Sequence, residues 1–354
     1  MVVMVTLRTF LIRMTAKVLN QVEVGRSKGF DDELRSYAEL KEWRRNKVKE
    51  VSSNHDQLNQ FHDQLIQKTV QLAIGKVQSE LGDPPAPFAF FLMGSAGRFE
   101  QSVWSDQDHG IIYDGNDTCE AYFLALGTEI MNGLTIVGYE QCDGNVMASN
   151  PLWCQSIKSW EAQINNWLNE ASWQSLRHFL TFFDSRVLVG EALFLNQLKE
   201  KAFSLLNEEP QLYSRLVENV DFIKKGIGAF GQLLPELHGT QAGSIQLKQT
   251  AFFPYVNSLR LLALKEKITS PSTLSRFKQL PDIYQSIKAF EKSFTELLNF
   301  RLQSRQNAKN YQEVHMIPLD SLTKAEKHEL KQLMRDGYKL FSETKKIIEK
   351  ECST

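Results

Sequence analysis

The stretch Gly94-Ser95-Ala96-Gly97-Arg98-Phe99-Glu100-Gln101, followed by Ser105-Asp106-Gln107-Asp108, decides how this chain is read. Just before it, Phe88-Ala89-Phe90-Phe91-Leu92-Met93 is continuously apolar, aromatic-rich and bounded by Pro87 and Gly94. That pattern predicts a buried strand. Just after it, His109-Gly110-Ile111-Ile112-Tyr113 predicts a second short strand, closed by Asp114-Gly115. Between the two, small residues let the backbone approach a ligand, Ser95 adds a hydroxyl and Arg98 a planar fork, which together suit phosphate groups. Asp106 and Asp108 stand at i and i+2, so on an extended chain both carboxylates share one face. Two hard oxygen ligands beside a triphosphate suit Mg²⁺ (or Mn²⁺), which keeps waters and shares phosphate oxygens. Alone, a G-S-x-G turn or a D-x-D is commonplace. All of these parts falling together within about 25 residues favour a nucleotide site over coincidence.

Working outward, Leu58, Phe61, Leu65, Ile66, Val70, Ala73, Ile74 and Val77 recur at steps of three and four and predict a helix. Ser52-Ser53-Asn54 offers its N-cap, and Asp83-Pro84-Pro85-Ala86-Pro87 must end it near Gly82. A further helix is expected over about 118–132. Downstream the pattern is helical again, and Thr323-Lys324-Ala325-Glu326 reads as a capping box opening a last helix. The expectation is an α+β protein: a helical region over 1–85, a small mixed-sheet module over 86–200, and a helical domain over 201–354.

Composition narrows the partners. Forty-one Lys plus Arg against 42 Asp plus Glu leave a net charge of −1, which argues against a nucleic-acid polymerase. The basic cluster Lys41, Arg44, Arg45, Lys47 and Lys49 is interleaved with Glu42 and Glu50 and reads as a solvated helix face. Trp153, Trp160, Trp167 and Trp173 recur at steps of six or seven and read as helix packing. Four sparse cysteines, Cys119, Cys142, Cys154 and Cys352, imply reduced thiols and a cytoplasmic setting. Residues 1–19 are interrupted by Arg8, Arg13 and Lys17, too soon for a membrane span, and read as an amphipathic helix or as extra residues from an upstream start. The histidines lack a zinc-binding spacing.

The run from Gly94 to Tyr113 resembles the G-S-x-G-R-x-E-Q…D-Q-D signature of the DUF294 nucleotidyltransferases, relatives of the bacterial PII-protein uridylyltransferase in the DNA polymerase β-like superfamily. Gly144-Asn145-Val146-Met147-Ala148-Ser149-Asn150-Pro151-Leu152-Trp153 is similar to a second family element. Phe182-Phe183-Asp184-Ser185-Arg186 with Gly190 is similar to a third, and Leu247-Lys248, Pro254 and Leu259-Arg260-Leu261-Leu262-Ala263-Leu264 resemble the associated helical domain.

The resemblance implies a polymerase β-like fold and metal-dependent transfer of a nucleoside monophosphate (NMP) from a nucleoside triphosphate (NTP) to a protein or small-molecule acceptor. A nucleotide-binding regulatory module without turnover is the alternative. Carried over, Asp106 and Asp108 would hold the metal, and Gly94, Ser95, Gly97 and Arg98 the triphosphate. Asp184 is either the third catalytic carboxylate or a helix-surface residue paired with Arg186 or Arg177, and Asp143 is its rival. Lys248 either reaches a phosphate or is an ordinary surface lysine. His109 stands where an Asn is usual and either tunes the site or packs; Gln246 stands where an Asp is frequent. Relatives carry sensor domains ahead of this module. Residues 1–85 are too few and too helical for one, so a sensor is expected on a partner, with a homodimer as the other association and no membrane.

Overall fold

The computed structural model describes residues 34–352. Strand β1 (Phe88–Leu92) lies inside a four-stranded mixed sheet. Beside it run β3 (His109–Tyr113) and β6 (Arg186–Gly190), both antiparallel to it, and β5 (Cys154–Ser156) extends the sheet parallel to β3. Every residue of β3 and all but the first of β1 are buried. That burial is why these strands read as unbroken apolar runs instead of alternating ones. The short β2 (Asp106–Gln107) pairs in parallel with β4 (Glu140–Gln141) as a separate ribbon.

Helices cover the sheet. Helix α1 (Tyr37–Val51) and α2 (His55–Leu81) pack against α3 (Glu120–Val137). The Asn54 side chain accepts the Gln57 N–H (2.9 Å), and α2 stops at Gly82, whose φ of 86° few other residues adopt. Helix α3 begins two residues later and runs five residues further than the sequence pattern indicated. Helix α4 (Ile157–Glu170) carries Trp160 and Trp167, α5 (Trp173–Phe183) begins at Trp173, and Trp153 closes the short turn Pro151–Trp153 ahead of them. Trp153, Trp160 and Trp167 form one aromatic cluster with centroids about 6 Å apart. Trp173 instead is half-exposed beneath Arg177.

Beyond α6 (Ala192–Glu208) and α7 (Leu212–Val220), helices α8 (Phe253–Lys265), α9 (Thr273–Gln279), α10 (Glu291–Arg305) and α11 (Lys324–Cys352) build the helical region. A ribbon of β7 (Ser244–Gln246) and β8 (Met316–Pro318) ties it together. Thr323 and Glu326 exchange both bonds of the capping box ahead of α11. One apolar core runs from Phe91, Trp160 and Phe182 to Leu259, Phe294 and Leu340. From Ser36 onward the chain packs as one unit.

Two expectations are corrected. Arg44 is buried, stacked between Trp104 (4.7 Å) and Tyr139 (5.1 Å), while Arg45 and Lys47 pair with Glu42 and Glu50 in solvent. Packing of α1 on its neighbours overrides the alternating charge pattern there. Strands β5 and β6 fall where the sequence showed only helices and a motif. The reading of residues 1–19 lies outside the described residues. No helix among the described residues is long and apolar enough to cross a membrane, and Cys119, Cys142 and Cys154 are free thiols.

Candidate active site

Strand β1 ends at Met93, and Gly94–Gly97 forms a single helical turn. By geometry, the N–H groups of Gly94, Ser95 and Ala96 have no acceptor inside that turn. Met93 N–H donates to the Asp108 carbonyl (2.8 Å), which sets the turn against the D-x-D. Gly94 has φ +56°, and a Cβ there would stand 2.1 Å from Asp108 Oδ2. The carboxylate therefore rests directly against this backbone. Ser95 is half-buried; its carbonyl accepts the Glu100 N–H (2.8 Å).

The alternation expected of Asp106-Gln107-Asp108 is present. The Gln107 amide is buried and donates to Thr135 Oγ1 (3.0 Å), the Tyr139 carbonyl (3.2 Å) and the Met131 carbonyl (3.3 Å). The two aspartates are turned to the other side. The parallel register pairs Asp106 with Glu140 and Gln107 with Gln141, and Asp108 and Cys142 are the residues that follow on each strand. One oxygen each from Asp106 and Asp108 and the Cys142 sulfur lie within 4.8 Å of one another. Burial, with Asp106 beside it, pushes the Asp108 carboxyl up to about 7 despite the Cys142 hydrogen bond and the charges of Lys248 and Arg98. Burial and Asp108 push the Cys142 thiol up to about 12, so it stays protonated and donates to Asp108. Two carboxylates crowded this way are relieved either by a proton or by a divalent cation, and their hard oxygens suit Mg²⁺ or Mn²⁺. Asp143 is exposed and outside this group.

Two side chains from the helical region close over the pair. Tyr311 donates its hydroxyl proton to Asp106 Oδ2 (2.7 Å), and Lys248 Nζ donates to the Tyr311 oxygen (3.2 Å). Lys248 opens a wide π-type turn, Lys248–Phe252, that leads into α8. Pro254 follows it and has no N–H to complete a normal helical turn. Gln246 Oε1 accepts the Gln249 N–H (2.6 Å), so this residue caps the turn as an Asp would, without the charge. The resemblance drew attention to Lys248. Nothing local marks Tyr311.

Asp184 is not a member of the Asp106, Asp108 and Cys142 cluster. It is fully buried and enclosed by three arginines: Arg98 Nη1 (2.8 Å) and Arg260 Nε (3.0 Å) donate to Oδ2, and Arg276 Nη1 (2.8 Å) donates to Oδ1. Burial alone would raise this carboxyl, but the guanidinium groups of Arg260, Arg276 and Arg98 outweigh it and hold it well below the usual carboxylate range. Neither partner considered from the sequence meets it: Arg186 forks onto Asp63 and Arg177 lies over Trp173.

Arg98 also donates to Glu100 Oε2 (2.7 Å), so much of its fork is engaged inside the protein. Glu100 in turn accepts from Thr273 Oγ1 (2.5 Å), and its carbonyl accepts from Arg301 (2.6 Å). Gly97 leaves room for the Asp184 carbonyl, which would lie 2.0 Å from a Cβ. The latter half of the G-S-x-G-R-x-E motif thus clamps the sheet module to the helical region. His109 is buried, accepts the Ala148 N–H at Nδ1 (3.1 Å) and lies 3.2 Å from Gln107 Oε1. It braces the loop that ends at Pro151.

Residues 38–174 match the family described as "Putative nucleotidyltransferase DUF294". Residues 210–346 match the one described as "Putative nucleotidyltransferase substrate binding domain". No curated protein matches the chain. The first match contains Asp106, Asp108 and Cys142, the second contains Lys248 and Tyr311, and the two together span most of the sequence: the chain belongs to the DUF294 nucleotidyltransferase family.

Proposed function

We propose that this protein transfers an NMP from an NTP to a hydroxyl of a protein or small-molecule acceptor. The observation that carries this reading is the convergence of Asp106 and Asp108, one oxygen each within 4.8 Å, against the open turn at Gly94. Asp106 and Asp108 would hold Mg²⁺ or Mn²⁺. When bound, such an ion neutralises triphosphate charge and favours departure of pyrophosphate.

The chain's own groups do the rest. The N–H groups of Gly94 and Ser95, with the Ser95 hydroxyl, receive phosphate oxygens. Lys248 brings an ammonium to the same place from the helical region. Arg98 adds charge from behind while anchored to Glu100 and Asp184. Its role is to fix the turn, as is that of Gly97. Closing the two regions over the pair excludes water, which competes with an acceptor hydroxyl.

The test is incubation with Mg²⁺ and each of four α-labelled NTPs, with a lysate as acceptor source. Label transferred to an acceptor, and lost in Asp106→Asn and Asp108→Asn, is the expected result. Label that survives both substitutions removes the site assignment. The cluster holds a thiol where a third carboxylate could stand, and this favours, as second reading, a nucleotide-binding regulator: metal-dependent NTP binding with no transfer would identify it.

A further inference from the structure

Tyr311 places a phenol hydroxyl on the acidic pair, and its position is built at several points. Its oxygen donates to Asp106 Oδ2 (2.7 Å) and accepts from Lys248 Nζ (3.2 Å). Its backbone N–H donates to Glu140 Oε1 (3.1 Å), on the strand paired with Asp106. Its ring stands edge-on to His315 with centroids 4.8 Å apart. Three residues earlier, the Ala308 carbonyl accepts from Trp104 Nε1 (2.7 Å). The segment after α10 is thereby pinned so that Tyr311 faces the carboxylates.

We propose that Tyr311 is itself a nucleotide acceptor, so that the chain nucleotidylylates its own site. This rests on the nucleotidyl-transfer reading above. The phenol oxygen attacks the α-phosphorus of the bound NTP, an O–P bond forms, and the bond from that phosphorus to the pyrophosphate oxygen breaks. The phenol proton passes along the existing hydrogen bond to Asp106 and on to water. The products are a tyrosyl phosphodiester of the NMP and free pyrophosphate.

A phenol that merely capped Asp106 would need only its proton. Here an ammonium also sits on the same oxygen, where it offsets charge on a nucleophile losing that proton and on phosphate oxygens arriving beside it. The linked NMP would remain over Asp106 and obstruct a second NTP. The modification is therefore self-limiting, one nucleotide per chain, and silences the site that made it.

The experiment uses the purified full chain with Mn²⁺ and each of the four NTPs, no other acceptor, followed by intact mass measurement and peptide mapping. Calorimetry with an α,β-methylene NTP runs in parallel. The expected result is a single NMP increment mapped to Tyr311, in the tryptic peptide of residues 310–324, and absent from Tyr311→Phe. An analogue that binds while the mass of the wild-type chain stays unchanged overturns this inference and leaves nucleotidyl transfer to other acceptors standing. An increment mapped to another residue, or persisting in Tyr311→Phe, also overturns it. Wild-type protein that binds no analogue removes the nucleotidyl-transfer reading, and this inference with it. Mapping on the wild type decides the matter even if the phenylalanine variant folds poorly.

Discussion

Arg98 Nη1 lies 2.8 Å from Asp184 Oδ2, and this ion pair engages both residues inside the protein. A guanidinium and a carboxylate with the residue types of a phosphate clamp and a metal ligand are held against each other, and Arg98 is shared with Glu100. Arg260 and Arg276 complete the enclosure. Removing one member of a buried ion network leaves the others uncompensated, at about 3–5 kcal/mol. Asp184→Asn should therefore lower the unfolding free energy in urea by roughly that amount, while the folded protein keeps its Mn²⁺ affinity. A stable Asp184→Asn protein with weakened Mn²⁺ binding would restore Asp184 as a metal ligand.

Gly94 and Asp108 make the second prediction. A Cβ on residue 94 would press on Asp108 Oδ2 at 2.1 Å, and the φ of +56° adds backbone strain. Gly94→Ala should cost about 1–2 kcal/mol of stability and about 10-fold or more in Mn²⁺ affinity. Thermal unfolding and a Mn²⁺ titration read the two effects separately. Loss of stability with intact affinity would show that the turn does not set the carboxylate.

The third prediction concerns pH. Burial holds the imidazoles of His62 and His109 down to about 3, so both stay neutral in the folded chain. Unfolded histidine takes a proton below about 6.5. Asp108, pushed up to about 7, does the opposite and keeps a proton that the unfolded chain releases above about 4. The stability contributed by the histidines is full above the unfolded value and is lost as pH falls toward the folded one. Between about pH 6 and 4.5 the unfolded chain holds two of these three protons and the folded chain one, so these three groups lower stability by about 1.4 kcal/mol for each unit that pH is reduced. Urea unfolding across this range checks the slope. His62→Gln should flatten it; an unchanged slope would show that His62 does not contribute.

Much of this was legible in the sequence where the determinant is local. β1 and β3 announce themselves by apolar runs between Pro or Gly, α2 by Asn54 and Gly82, and α11 by its capping box. The D-x-D face needed only strand alternation. What could not be read depends on distant partners. Tyr311 bonds Asp106 across 205 residues from within a polar stretch that carries no periodic pattern. Cys142 joins the site only through the register of β2 and β4. Arg98 looks the same in sequence whether it clasps a phosphate or Asp184. β6 is five residues long and half-buried between two helices, so neither length nor alternation separates it from a loop.

The central claim is that Asp106 and Asp108 together hold a divalent cation that carries the triphosphate. Its most direct test is Mn²⁺ binding, followed by electron paramagnetic resonance in the presence of an α,β-methylene NTP. For the wild type, binding should be cooperative with nucleotide. In Asp106→Asn and in Asp108→Asn, each still folded, it should weaken by more than about 100-fold. Undiminished Mn²⁺ binding in the doubly substituted protein would contradict the account.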